Sequence, residues 1–316
     1  MTYEDVRELS LDMTEEFRAI YKLFTPKGAP LDLIKLDELV QGTFDTHMHP
    51  APDAYAARPL DDVQLAIEAC KIGMGGIVLK CHSFPTARGA RIAQRLVDDW
   101  AKTNGKESPR IIGGAVLNQN IGGLNPEAVE SVVGLGGRFI WTPNLDASHH
   151  RRLYGLTGGI EVIDDDGKVT GDFAEILRLI AEYDLVLSIT HQSTRERFIM
   201  VDAAVEAGVE RIEICHPNHP SGKMSIEQMK HVASKGAYLG LYCVNFAAPL
   251  FSLDEMLEAI KVVGADRIVI GTDLGNWVVP PPAINYKILL GLLLANGVSE
   301  QDINKMAKDN PRSLIL

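Results

Sequence analysis

Short apolar runs rich in Val, Ile and Leu alternate along this chain with longer segments whose apolar residues recur every three or four positions. The short runs, at residues 43–47, 76–80, 110–117, 138–142, 185–190, 211–215, 237–242 and 267–272, read as strands. The amphipathic segments, at 60–71, 87–103, 126–133, 172–183, 195–207, 225–234, 252–263 and 283–295, read as helices, one after each strand. Glycines punctuate the helix-to-strand joints at Gly73, Gly75, Gly136, Gly137, Gly208, Gly236 and Gly264, as helix C-caps require.

Eight βα units in about 270 residues predict a single α/β domain, a (β/α)8 TIM barrel. An open doubly wound sheet is less favoured, because no glycine-rich phosphate turn follows the first strand. The barrel spans residues 43–316. Residues 1–42 form a helical extension, with helices at 3–23 and 31–40 around the breaker run at 25–30. One long insertion follows the fourth strand, residues 143–171. It contains a β-hairpin at 159–170 whose turn is Asp164-Asp165-Asp166-Gly167-Lys168. The three aspartates lack the later glutamate of a calcium loop and read as a solvated turn.

Composition narrows the function classes. With 46% hydrophobic and 23% charged residues among 316, the chain can bury a large core. A net charge of -11 and a pI near 5.3 argue against nucleic acid and against anionic membrane surfaces as partners. The longest apolar run, 288–295, is far short of a membrane span, and the acidic N-terminus shows no secretory pattern, so a cytoplasmic protein is expected. Cys70, Cys81, Cys215 and Cys243 are widely spaced and read as reduced thiols. The opening helices exceed what a barrel needs and leave room for a homo-oligomer, a dimer being the simplest.

The chemistry gathers where strands end. In the run Asp45-Thr46-His47-Met48-His49-Pro50, the strand period of two puts His47 and His49 on one face, as two imidazoles must be to share a metal ion. The fifth strand delivers His191, the sixth His216 and the eighth Asp273. Barrel active sites lie at the C-terminal ends of the strands, so all five metal-ligand side chains fall on one rim.

This ordered set resembles the amidohydrolase superfamily of metal-dependent barrels, whose pattern is HxH after strand one, histidines after strands five and six, and aspartate after strand eight. The ending Met306-Ala307-Lys308-Asp309-Asn310-Pro311-Arg312 resembles the last helix of the phosphotriesterase-like and decarboxylase-like branches. No strand-rich segment precedes the barrel, so a flanking β-sandwich is not expected. Two-metal members usually carry a carboxylated lysine or a glutamate after strand four, and residues 138–144 offer neither. Strand two offers a substitute: Val78, Lys80 and His82 share a face. A lysine turned inward there needs a coordinating or charged partner, which a carbamate bridging two ions would satisfy. Cys81 faces the other way unless a bulge turns it in.

The resemblance implies a metal-dependent hydrolase that activates water on an amide, ester, lactone or phosphoester bond, with His47, His49, Lys80, His191, His216 and Asp273 as ligands and Asp273 moving the proton. Zinc is the first choice of metal, one or two ions, with manganese or iron as substitutes. The alternative is a one-metal decarboxylase with His216 free as acid or base. A further alternative is a barrel that binds metal without catalysis. Arg58, Arg88, His149, His150, Arg151, Arg152 and His219 lie in predicted loops after strands and suggest a small anionic substrate. Tyr55, His82, Asn118, Asn144 and Asn276 share that location as polar contacts, whereas His231 lies in a helix and reads as structural.

Overall fold

A computed structural model describes residues 33–243, 253–275 and 281–316; the expected helix at 3–23 and Asn276 lie outside the described residues. The strands are β1 (Phe44–Met48), β2 (Gly76–Leu79), β3 (Arg110–Ile112), β4 (Gly114–Val116), β5 (Phe139–Trp141), β6 (Val186–Ile189), β7 (Arg211–Cys215), β8 (Tyr238–Tyr242) and β9 (Ile268–Gly271). The helices are α1 (Leu33–Leu39), α2 (Asp62–Lys71), α3 (Ala87–Thr103), α4 (Pro126–Gly134), α5 (Ser148–Leu153), α6 (Gly171–Glu182), α7 (Thr194–Glu206), α8 (Ile226–Ser234), α9 (Leu253–Val263), α10 (Pro282–Ala295), α11 (Glu300–Asn304) and α12 (Asn310–Ile315). All strand pairs are parallel, in the order β1-β2-β3 and β4 through β9. This is the (β/α)8 barrel.

Two places depart from an ideal ring. The third barrel strand is split at Gly113 into β3 and β4. A Cβ at Gly113 would lie 2.6 Å from the carbonyl carbon of Thr86, and the Thr86 hydroxyl accepts the Gly114 amide at 3.0 Å, so the loop before α3 takes up hydrogen bonds of that strand. At the seam, β9 and β1 are joined beyond their regular ladders. Asp273 N donates to His47 O at 2.8 Å and His49 N to Leu274 O at 2.9 Å. The tie between first and last strand therefore runs through the candidate ligands themselves.

Alternation sorts the strand residues into two cores. Ile77, Leu79, Leu187, Ile189, Ile212 and Ile214 face the helices, while Val78, Phe139, Trp141, Val186 and Val269 fill the barrel with Leu314 and Ile315 of α12. The C-terminal helix thus plugs the barrel floor. Arg138 and Arg211 hold it there by donating to Ile315 O at 3.0 Å and Leu314 O at 3.1 Å. Lys80 follows the Val78 face inward.

The loops that reach the mouth are short where they matter. A capping box pairs Ser193 with Glu196 and starts α7 at Thr194, three residues after His191, so His191 sits between a strand end and a fixed helix start. In the insertion after β5, the expected turn closes through Asp164 N to Lys168 O at 2.7 Å and an antiparallel Ile163–Val169 bridge. The same insertion forms α5, which the apolar pattern did not signal. Among the described residues, no helix is long and apolar enough to cross a membrane.

Candidate metal centre

Seven of the nine histidines meet at the mouth. Ring centroids link His82 to His49 at 4.7 Å, His49 to His47 at 5.1 Å, His47 to His216 at 6.2 Å, His216 to His191 at 4.9 Å, and His191 to His150 at 4.7 Å and His219 at 5.5 Å. Burial pulls His47, His49, His191 and His216 well below the usual imidazole range. They are neutral and offer lone pairs.

The first group is His47, His49 and Asp273. His47 Nε2 is 3.1 Å and His49 Nε2 2.9 Å from the same oxygen, Asp273 Oδ1. Asp45, buried beneath them, fixes this convergence. Its Oδ1 accepts the His47 and Thr272 amides at 3.0 Å each, and its Oδ2 accepts the Thr272 hydroxyl at 2.6 Å. The approach is close enough that a Cβ at Gly271 would stand 2.7 Å from Asp45 Oδ1. Burial pushes the Asp45 carboxyl up to about 7.

The second group is His191, His216 and His219, whose ring nitrogens lie within 4.8 Å of one another. His191 Nε2 and His216 Nε2 face each other at 3.3 Å, and His191 Nδ1 meets His150 Nδ1 at 2.9 Å. The loops that carry these rings are bolted by Arg197 of α7, fully buried with no carboxylate partner among the described residues. Its guanidinium donates to Gly222 O at 2.7 Å and to Thr190 O, and a Cβ at Gly222 would stand 2.5 Å from it.

Two backbone conformations bear on function. Only three described non-glycine residues have positive φ, and two of them are His216 (33°) and Asp273 (54°). Such conformations cost about 1–2 kcal/mol each and persist where the surroundings over-determine them.

These groups fit a divalent metal. His47 Nε2, His49 Nδ1 and His216 Nδ1 are buried with no hydrogen-bond partner among the described residues, and uncharged nitrogens with one carboxylate oxygen are the donor set that zinc takes. Lys80 is 1% exposed. Its ammonium stands over Trp141, 5.7 Å from the ring centroid, and makes no ion pair or hydrogen bond among the described residues.

Below the ligands lies a polar network that the apolar pattern hid. Glu213 accepts from the Ser188 hydroxyl at 2.5 Å and from Tyr242, which in turn accepts from Thr46 at 3.0 Å. Burial raises the Glu213 carboxyl, and these donors oppose the rise. The available signal was a glutamate in strand alternation two residues before Cys215. Arg197 had a signal too: it sits on the stripe of α7 that buries Met200, Val201 and Ala204.

The remaining candidates are distributed unevenly. Arg58 donates twice to Asp53 Oδ2, at 3.2 Å each, beside His49 and His82. His82 Nδ1 is 2.8 Å from Asn144 Nδ2, and Asn118 completes that chain. Tyr55 donates to Asn120 at 3.0 Å with its ring 6.2 Å from His82. Arg151 is 3.9 Å from Asp146, and Arg152 pairs with Glu161 at 2.7 Å. Arg88, exposed on α3, and His149 enter no ring contact or hydrogen bond of the cluster. Cys81 is buried and joins none of the metal-capable groups, and His231 of α8 packs edge-on to Phe198 of α7.

A family model described as a family of unknown function, DUF6282, matches residues 42–240. The chain belongs to DUF6282. The matched span of this DUF6282 protein carries His47 through His219 and stops before Asp273. No curated protein matches it. Among solved structures it is similar to an amidohydrolase from Pseudomonas aeruginosa, with 16% identity, a TM-score of 0.62 and coverage of 90% of this chain and 98% of that one. It is also similar to the probable dipeptidase PvdM from Pseudomonas aeruginosa, with 12% identity, a TM-score of 0.58, and 94% and 98% covered. A β-aspartyl dipeptidase from Fervidobacterium islandicum gives 13% identity, a TM-score of 0.51, and 87% and 73% covered. At these identities the likeness is one of fold: this DUF6282 protein has a barrel similar to those of the amidohydrolase and dipeptidase structures.

Proposed function

We propose that this protein is a metal-dependent hydrolase acting on an amide, ester, lactone or phosphoester bond of a small anionic substrate. One observation carries the reading: His47, His49 and Asp273 converge on one point, and His191 and His216 on a second, at the same barrel mouth. A divalent ion bound there supplies Lewis acidity toward a carbonyl or phosphoryl oxygen and makes a water acidic near neutral pH.

The protein's own groups do the rest. Asp273 turns Oδ1 to His47 and His49, which leaves Oδ2 to take the proton of the attacking water and hand it to the leaving group. Lys80, once deprotonated, would add its amine to carbon dioxide, forming a carbamate and releasing one proton, and that carboxylate would supply an anion to the metal centre. Trp141 and the buried barrel interior beneath, apolar apart from the satisfied Glu213 network, exclude bulk water from that side.

Metal analysis of protein loaded with zinc tests this. Two ions per chain, a carbamate mass on Lys80 lost on acidification, and hydrolysis within an ester, lactone and phosphoester panel are expected. One ion with an unmodified lysine and carbon dioxide release from aromatic carboxylates would replace the reading with the decarboxylase. Metal uptake without turnover of any panel member would leave a metal-binding barrel.

A further inference from the structure

We propose that His82 and His219, which stand at either side of the metal groups, are neutral hydrogen-bond donors to the substrate and not metal ligands. This rests on the hydrolase reading above and adds to it the side chains that grip the substrate's oxygens.

The assignment follows from which nitrogen must accept. His219 caps the short turn Pro220–Gly222, and the Ser221 main-chain N–H donates to His219 Nδ1 at 3.1 Å, with the Ser221 hydroxyl 2.7 Å from the same nitrogen. A main-chain amide has only a hydrogen to offer. Nδ1 therefore accepts, and the single proton of the neutral ring resides on Nε2. Turning the ring over would set a carbon against both Ser221 groups.

His82 reaches the same state by a longer route. Asn118 is oriented by the backbone, since its Oδ1 accepts the Asn144 amide at 3.0 Å and its Nδ2 donates to His82 O at 3.0 Å. That Nδ2 also donates to Asn144 Oδ1 at 2.7 Å, and the Leu145 amide donates there at 2.5 Å. Asn144 can then present only Nδ2 to His82 Nδ1, at 2.8 Å. Again Nδ1 accepts and Nε2 holds the hydrogen.

A protonated ring nitrogen has no lone pair for a cation, so neither Nε2 can be a ligand. His191 differs in the one respect that matters. Its Nδ1 faces His150 Nδ1, another imidazole nitrogen able to donate or accept, so His191 is free to keep its Nε2 lone pair toward His216. Neither Nε2 of His82 nor that of His219 has a hydrogen-bond partner among the described residues, and each ring belongs by position to a cluster that could hold a cation, His82 with His49 and Asp53 and His219 with His191 and His216, so the tautomer decides its role. A neutral imidazole N–H placed at an oxygen that gains charge stabilises it without having to lose a proton first. Two such donors on opposite loops fit a substrate with acceptor oxygens on both sides of the bond cleaved, as in an ester or amide that also bears a carboxylate.

Long-range proton–nitrogen correlation on histidine-labelled protein tests this, in chelated and zinc-loaded forms. His82 and His219 are expected to read as Nε2–H tautomers in both. His82→Phe and His219→Phe are each expected to keep wild-type zinc stoichiometry while kcat falls by about 10²–10³-fold, and Gln at either position, which retains an N–H donor, is expected to recover part of it. Loss of one zinc in a Phe variant, or an Nδ1–H tautomer in either residue, overturns the assignment. Wild-type protein that takes up no divalent ion fails the hydrolase reading instead, and the tautomers of the chelated form still decide the donor assignment, whether or not a variant folds.

Discussion

The two ligand groups are held by opposite kinds of bolt. At the seam, the carboxylate Asp45 collects donors from β1 and β9 and aligns His47, His49 and Asp273. Across the mouth, the guanidinium Arg197 collects carbonyls from the two loops that carry His191, His216 and His219. The seam group contains its own anion; the other is all imidazole, with Arg197 and Lys80 nearby and no carboxylate among its described members. A cation at the seam is thus partly neutralised by the protein, whereas one across the mouth needs a further anion. That asymmetry predicts sequential loading, the seam filling first.

The largest effect should come from removing the anion on which the difference rests. Asp273→Asn takes away the negative charge and the Oδ2 proton acceptor, leaving only a neutral amide oxygen. Turnover should fall by about 10²–10⁴-fold, and the first ion should be lost as well. A variant that kept two tightly held ions would show that the groups do not differ as described.

Arg197→Met breaks the other bolt. It leaves Thr190 O and Gly222 O buried without their donor, at about 1–3 kcal/mol for each, so thermal unfolding should shift down while the seam ion remains. Gly222→Ala presses on the same guanidinium and should weaken the second ion alone. Equal loss of both ions in either variant would merge the two groups into one.

Much of this is legible in the sequence. Strand and helix spans were readable because βα periodicity is strong, and HxH at a strand end places two imidazoles together by alternation alone. The bolts were not. Asp45 lies two residues before His47 and accepts its amide, but its other partners, the Thr272 hydroxyl and amide, are more than two hundred residues away, and no local period encodes that pairing. Arg197 gave a fainter trace, a cation on the apolar stripe of α7. His219 was legible only as a loop histidine, since its tautomer depends on the turn that follows it.

The smallest effect concerns Asp45, and pH gives it a sign. Burial raises its carboxyl to about 7, above the unfolded value near 4. At this site the folded chain then holds a proton that the unfolded chain has lost, so the contribution of Asp45 to stability is full below about pH 4 and is lost as pH rises toward 7, opposite in sign to that of the buried histidines. In chelated protein, Asp45→Asn keeps an acceptor for the two amides and removes the titration. The stability of wild type relative to this variant should therefore fall as pH rises from 4 to 7, measured by calorimetry on both. With zinc present the loss of the carboxylate should appear differently, as about 10–100-fold weaker binding at the seam with the second group unaffected. An unchanged pH slope in the chelated variant would mean that Asp45 is ionised throughout, its charge already balanced by the donors of β1 and β9.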